Sequence, residues 1–481
     1  MSEMAQQDLM GQLRAFFDQH FGKSLIIKGR PGAGKTTFAL DFLDMMRSER
    51  PVYYLPARFE DRSVLKTFPW VSEARNVDTS VPLTRVCTES LGRLERMVEE
   101  GRFNPSSPNF SGLVVNIEEM LPEVKAMYHF VDQHIDSSPI LLLDSIEALA
   151  EKYEMSDAAI FSLIYRDLVE GSNANLIVII EARENQKLEY FADGVVSMDY
   201  STGEGFVIRT ATVEKLRGVS VGSSPQFLYS LNEGRFKSFT HVPIVYPAVR
   251  ITPEEETGGE QFEVPIYGFE IEKLTESSSP SVPIGTLIMI HRESTSSQVD
   301  QVVNLIKNNI ALGTVSAGRG VMDVTSSSYE TSGVLVNCVD AEKMKNYVIA
   351  EKSKKNNPYI INLEGKSLID DFPQEVLDFF MSYSERPDVY FFSTDFLSFV
   401  YGDSYYGDLV NLINDIRSTG IVILIADQDA YERLTHYANI TIHIRDYHGF
   451  VLVHSRPDAL YLSMPDYTQK GWPRLKLHML V

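Results

Sequence analysis

Gly29-Arg30-Pro31-Gly32-Ala33-Gly34-Lys35-Thr36 fits the pattern G-x-x-x-x-G-K-[ST] at every fixed position. It lies between an apolar run, Ser24 to Lys28, and an amphipathic helical pattern, Thr37 to Met46. Glycines there let successive backbone N–H groups wrap a polyphosphate, and the start of a helix adds a favourable field. Lys35 supplies a point charge for the terminal phosphates, and Thr36 a hydroxyl for Mg²⁺. The segment Gly29, Arg30, Pro31, Gly32, Ala33, Gly34, Lys35, Thr36 and Thr37 is therefore the candidate nucleotide-binding segment, with ATP and Mg²⁺ as the expected ligands.

Working outward, the 481 residues exceed what one ordinary core accommodates, and length alone suggests two or three domains. The formal charge of −22 repels polyanions on average, so a DNA-coating role is disfavoured. Cys87 and Cys338 are the only cysteines and lie far from any C-x-x-C spacing, which argues against a disulfide framework or a structural zinc site. The first eighteen residues lack the basic start and apolar core of a signal peptide, and no run approaches the length of a membrane span. A soluble, cytoplasmic protein without a membrane partner is expected.

Short apolar runs alternate with helical patterns, the rhythm of a parallel sheet with crossover helices. Strands are predicted near Ser24 to Lys28, Val52 to Leu55, Thr84 to Cys87, Ile140 to Leu143, Leu176 to Ile180 and Gly194 to Met198. Antiparallel additions follow at Phe206 to Val213 and Gln226 to Leu231. This gives a first α/β domain over 1–246. A linker over 247–283, marked by Pro, Glu, Gly and Ser, leads to a second α/β domain over 284–481. There the strands are predicted near Thr286 to Ile290, Val334 to Val339, Tyr359 to Leu363, Val389 to Phe392, Ile421 to Ile425 and Ile440 to Ile444.

The halves read as diverged copies. Ser24 to Lys28 corresponds to Thr286 to Ile290, and Leu176 to Ile180 to Ile421 to Ile425. An offset of 262 sets His291 against Gly29, Glu293 against Pro31, Ser296 against Gly34 and Ser297 against Lys35. Without the glycines and the lysine, and with Glu293 repelling phosphate, the second copy is not expected to bind ATP by the usual route. The run Thr325 to Ser328 reads as a flexible polar loop.

Ile140 to Asp144 is an apolar strand ending in a carboxylate, the arrangement that holds the magnesium water network opposite Thr36. Thr36 and Asp144 are thus the candidate metal-side pair. Hydrolysis also requires a group that orients or deprotonates water. Glu60 and Asp61 after the second strand, and Glu181 after Leu176 to Ile180, are the candidates beside Lys35. Lys215 and Arg217, separated by one apolar residue, point the same way if they lie on a strand, and from there could reach a phosphate in an adjacent subunit.

The segments at 29–37, Leu141 to Ser145, Tyr190 to Val196 and Glu214 to Gly218 occur in an order that resembles the RecA-like ATPases of the KaiC and GvpD group. Ala57 to Arg62, followed by Phe68-Pro69-Trp70, departs from the Phe-Glu-Glu of KaiC-like proteins and looks closer to the archaeal gas-vesicle regulator GvpD. The resemblance covers roughly Met1 to Tyr246. It implies a RecA-like P-loop NTPase domain followed by a degenerate RecA-like domain, with ATP in a subunit cleft, a trans-acting finger at Lys215 and Arg217, and slow, Mg²⁺-dependent ATP hydrolysis. It also implies an archaeal source, a homo-oligomer such as a ring, and a regulatory protein partner. A DNA-binding recombination mediator and a non-hydrolysing nucleotide-dependent scaffold are the alternatives.

Overall fold

The computed structural model describes residues 8–19, 21–56, 62–74, 77, 79, 83–86, 122–153, 155–181, 186–203, 205–221, 225–247, 263–275, 279–352, 360–383, 387–468 and 471–481. Two compact units emerge: Met1–Thr240 with Leu480–Val481, and His241–Met479. Among the described residues no helix is long and apolar enough to cross a membrane.

The first unit is built on strands β1 (Ser24–Lys28), β2 (Val52–Pro56), β3 (Ile140–Asp144), β4 (Asn175–Ile180), β5 (Gly194–Gly203), β6 (Phe206–Leu216), β7 (Gln226–Ser230) and β8 (Lys237–Phe239). They form one sheet in the order β2-β3-β4-β1-β5-β6-β7-β8. The pairs from β2 to β5 are parallel, whereas β6, β7 and β8 add antiparallel at one side. Every residue of β1 and β4 is buried, because helices cover both faces of the parallel part. On one face Leu25 and Ile27 pack with Phe38 and Phe42 of the helix Lys35–Met46, and on the other Ile26 packs with Val178 and Tyr128.

The second unit repeats this plan. Its main strands are β11 (Leu287–Arg292), β12 (Gly320–Val324), β13 (Tyr347–Glu351), β14 (Ile360–Asn362), β15 (Pro387–Ser393), β16 (Ile421–Ala426), β17 (Ile440–Tyr447), β18 (Phe450–Arg456), β19 (Ala459–Tyr467) and β20 (Pro473–Leu480). Their order is β14-β13-β12-β15-β16-β11-β17-β18-β19-β20. Removing β13 and β14 leaves β12-β15-β16-β11-β17-β18-β19-β20, which superimposes in order on β2-β3-β4-β1-β5-β6-β7-β8.

The face each residue occupies corrects the sequence register by one position. In the first unit Leu25 and Ile27 share the face of the helix after β1, and in the second Ile288 and Ile290 share the face of the helix Ser297–Ser316. The strand offset is therefore 263, not 262, since a one-residue slip would turn every side chain to the opposite face. His291 then matches Lys28 and Arg292 matches Gly29. Helix caps Gly34 and Ser296 remain 262 apart, so the connection from strand to helix is one residue shorter in the second unit.

Other expectations are also corrected. Thr84, Arg85 and Val86 form no strand, because their backbone N–H groups donate to the carboxylate of Asp132 at 3.1, 2.6 and 2.8 Å instead of to a ladder. Val334 to Val339 is not a strand either. Val334 to Val336 close the helix Ser328–Val336, whose strand neighbour in sequence is β13. Part of the expected linker is integral to the second core: β9 (Glu263–Pro265) pairs antiparallel with β10 (Ser281–Pro283), and Val264, Ile266 and Phe269 are buried.

Thr325 and Ser328 are buried rather than part of a flexible loop. Thr325 lies beside a fully buried ion pair in which Lys307 Nζ sits 3.1 Å from Asp323 Oδ2. The ammonium donates further to Thr325 Oγ1 at 2.7 Å and Ser327 Oγ at 2.5 Å, while the Tyr347 hydroxyl donates to Asp323. Those bonds satisfy groups whose burial alone pushes the Lys307 pKa down.

Candidate functional site in the first unit

The phosphate loop leaves the carboxyl end of β1, the strand between β4 and β5, where the sheet order places a helix N-terminus against open strand ends. Gly29, Gly32 and Gly34 have φ of +142°, +82° and +81°, a region that side chains with a Cβ rarely adopt. At Gly29 a Cβ would also collide with the carbonyl oxygen of Met198, and at Gly34 with the side chain of Leu231. The backbone is thus bent and packed in a form that excludes larger residues at these two positions.

Lys35 is buried, and its ammonium donates to the carbonyls of Gly29 at 2.6 Å and Arg30 at 3.1 Å, which folds the side chain across the loop. The Arg30 guanidinium binds the carboxylate of Asp199 and the carbonyl of Tyr200 and lies 4.3 Å from the Tyr200 ring centroid. Ala33 is buried, its carbonyl accepting from the hydroxyl of Tyr229, whereas Pro31 is exposed. Thr37 lies in the first turn of the helix and is half-buried.

The candidate metal-side pair meets directly. Thr36 Oγ1 donates to Asp144 Oδ2 at 2.8 Å, and the Tyr54 hydroxyl approaches the same oxygen at 3.4 Å. Burial raises the Asp144 pKa, opposed by the Thr36 and Tyr54 hydrogen bonds and the Lys35 charge, while the charge of Glu181 adds to the rise. Glu181 thus lies near enough for its charge to act on Asp144. Its backbone N–H donates to Glu147 Oε1 at 2.6 Å. Glu60 and Asp61 lie outside the described residues.

Lys215 and Arg217 are placed elsewhere in the unit. Lys215 pairs with Val195, which pairs with Ile26, three residues before Gly29. Its ammonium donates to Ala192 O at 2.5 Å and Glu189 O at 3.3 Å, and burial followed by the Arg217 charge lowers its pKa. Arg217 binds Asp193 at 3.3 Å. Both cations are thus directed away from the phosphate loop of their own chain.

Tyr54, Tyr229 and Glu147 were not singled out from sequence. Glu147 had a legible signal, a carboxylate three residues after the strand-ending Asp144. The tyrosines had none, because their partners, Asp144 on β3 and the Ala33 carbonyl in the loop, lie far away along the chain.

Sheet order, glycine-lined loop and the Thr36–Asp144 contact together define a P-loop NTPase domain of the RecA type, followed by a second α/β unit of the same plan. Residues 13–214 match the family model of the GvpD gas vesicle protein, P-loop domain, and residues 296–480 that of GvpD basic region 2. Over both matched stretches the chain is thus similar to GvpD proteins. It is 26% identical over 264 residues to Protein GvpD2 of Halobacterium salinarum, covering 51% of this chain and 47% of that protein. With Protein GvpD1 of the same organism it shares 26% identity over 250 residues, 49% of this chain and 41% of that protein. The matched stretch therefore spans about half or less of each curated relative. Among solved structures, a KaiC-like protein from Pyrococcus horikoshii matches at 19% identity with a TM-score of 0.31, covering 46% of this chain and 90% of that one.

Proposed function

We propose that the first unit binds ATP with Mg²⁺ and hydrolyses it slowly, and that its nucleotide state controls engagement of a protein partner, in a regulatory role of the GvpD kind. The observation that carries the reading is the convergence of Lys35, Thr36 and Asp144 on a loop whose glycines keep backbone N–H groups accessible. The donor set fits a magnesium nucleotide: a hydroxyl and a carboxylate for the hard cation, an ammonium and main-chain amides for phosphate. Thr36 and Asp144 would hold the metal side, and magnesium when bound offsets phosphate charge.

Lys35 exchanges its carbonyl partners for phosphate oxygens, which makes the loop responsive to occupancy. Glu181 would orient water, with Glu60 and Asp61 as the other candidates. Lys215 and Arg217 would act on the nucleotide of a neighbouring copy, consistent with their direction away from their own loop, in a homo-oligomer such as a ring. The matched stretch 296–480 contains more acidic than basic residues, so nucleic acid is not part of the proposal.

The test is ATP affinity by calorimetry and phosphate release, with the native chain against Lys35→Ala. Loss of the ammonium should weaken binding about 100-fold, equivalent to about 3 kcal/mol, and abolish release. Equal binding by both proteins defeats the reading. Tight binding without turnover in every oligomeric state would leave a nucleotide-dependent scaffold in its place.

A further inference from the structure

In the second unit the strand that corresponds to β1 ends in a different chemistry. His291 closes on His443 of the neighbouring strand β17, their Nδ1 atoms 3.1 Å apart. Glu293, in the shortened connection, brings Oε1 to 2.9 Å from His443 Nδ1. One donor atom from each of these three residues lies within 4.8 Å of the other two. Ligands held 2.0–2.1 Å from a tetrahedral zinc ion stand about 3.3 Å apart, so the observed spacings are close to those of a ligand set.

The surrounding groups fix which nitrogen is presented. Gln428 Nε2 donates to Glu432 Oε1 at 2.7 Å, which turns its amide oxygen toward His291 Nε2 at 3.0 Å. His291 must then carry its proton on Nε2, leaving the Nδ1 lone pair directed at His443 and Glu293. Tyr431 stacks on the His291 ring at 4.1 Å and 7°, and His454 Nε2 lies 3.5 Å from Glu293 Oε1. An imidazole whose far nitrogen is held by an amide oxygen, beside a carboxylate that a further imidazole approaches, has the outer support seen around metal ligands.

We infer that His291, His443 and Glu293 form a binding site for a divalent transition-metal ion, with two nitrogen ligands and one oxygen suited to zinc. Gln428 and His454 are positioning residues. The site lies wholly in the second unit and draws on none of the nucleotide-binding residues. It occupies the strand end where the first unit holds phosphate.

The test is calorimetric titration of the chelator-treated full chain with ZnCl₂ in excess Mg²⁺, which occupies hard-oxygen sites, together with metal analysis after gel filtration. One zinc per chain is expected, undisturbed by Mg²⁺. His443→Ala and Glu293→Gln should each weaken it at least about tenfold, and Gln428→Ala about tenfold through loss of ring orientation. Lys35→Ala should retain full zinc stoichiometry, which separates this site from the nucleotide reading. Circular dichroism checks that each variant is folded, and Gln428→Ala decides the matter if the ligand variants do not fold. A native chain that takes up no zinc in excess Mg²⁺, or folded variants with unchanged affinity, overturns the assignment and leaves a hydrogen-bonded cluster.

Discussion

The two units share one strand order and one core plan yet differ at nearly every position of the candidate phosphate site in the first. Gly29 is matched by Arg292, the cap Gly34 by Ser296, and Asp144 by Ser393, since Asp144 pairs with Ile179 as Ser393 pairs with Ile425. The sheets tolerate this divergence because the packing that holds them lies between strand and helix faces, away from the loops at the strand ends. Fold and site are therefore separable here: the scaffold persists while its rim changes chemistry.

The largest expected effect concerns the ion pair buried in the second unit, where the first has no counterpart among the described ion pairs. Lys307→Ala leaves the Asp323 carboxylate buried without its ammonium and should destabilise the unit by about 3–5 kcal/mol in urea unfolding. Lys307→Met combined with Asp323→Asn should recover most of that loss. If the single variant unfolds like the native chain, the pair does not hold the second unit as the first is held by its apolar core.

Next in size is Gly29→Ala. The added methyl meets both a disfavoured φ and the Met198 carbonyl, so the first unit should lose about 2–3 kcal/mol and its ATP affinity together. Native-like nucleotide binding by this variant would mean that the glycine is not what distinguishes the loops.

A smaller effect of opposite sign is expected at Asp144. Its folded pKa is raised, so the folded chain favours the protonated acid, and this contribution is complete below the unfolded value and lost as pH rises through the folded one. Asp144→Asn should thus stabilise the ligand-free chain by about 1 kcal/mol at neutral pH, with the advantage fading toward pH 4 or so, while magnesium-dependent nucleotide binding falls. Thermal midpoints at both pH values check this. Least of all, Ser297→Lys in a Lys35→Ala background should yield no detectable ATP binding, because an ammonium without the glycine-lined bend has no site to complete. Recovery of binding would show that charge alone separates the copies.

Much of the first unit was legible because its signals are local. The phosphate loop, its flanking strand and helix, and the strand ending in Asp144 each occupy one short continuous stretch. The register between copies was not legible to the residue. Ser24 to Lys28 are buried throughout, so no polar alternation marks which face each residue occupies, and an offset of 262 reads as well as 263. Thr84 to Cys87 looked like a strand because its apolar character was visible and the competing Asp132 carboxylate, far along the chain, was not. The Lys307–Asp323 pair and the His291, Glu293 and His443 cluster were missed for a related reason. Their members sit on different elements: the first is brought together by packing of the helix Ser297–Ser316 on β12, and the second by the pairing of β11 with β17.

The connection that follows β11 is one residue shorter than its counterpart after β1. Point substitutions exchange side chains but cannot lengthen a backbone, so no series of them rebuilds the wider arc around a polyphosphate. An insertion would be required as well, at a place now spanned by Glu293. Divergence at this strand end is in that sense a ratchet: ordinary mutational drift can elaborate the second unit's new rim but cannot walk it back.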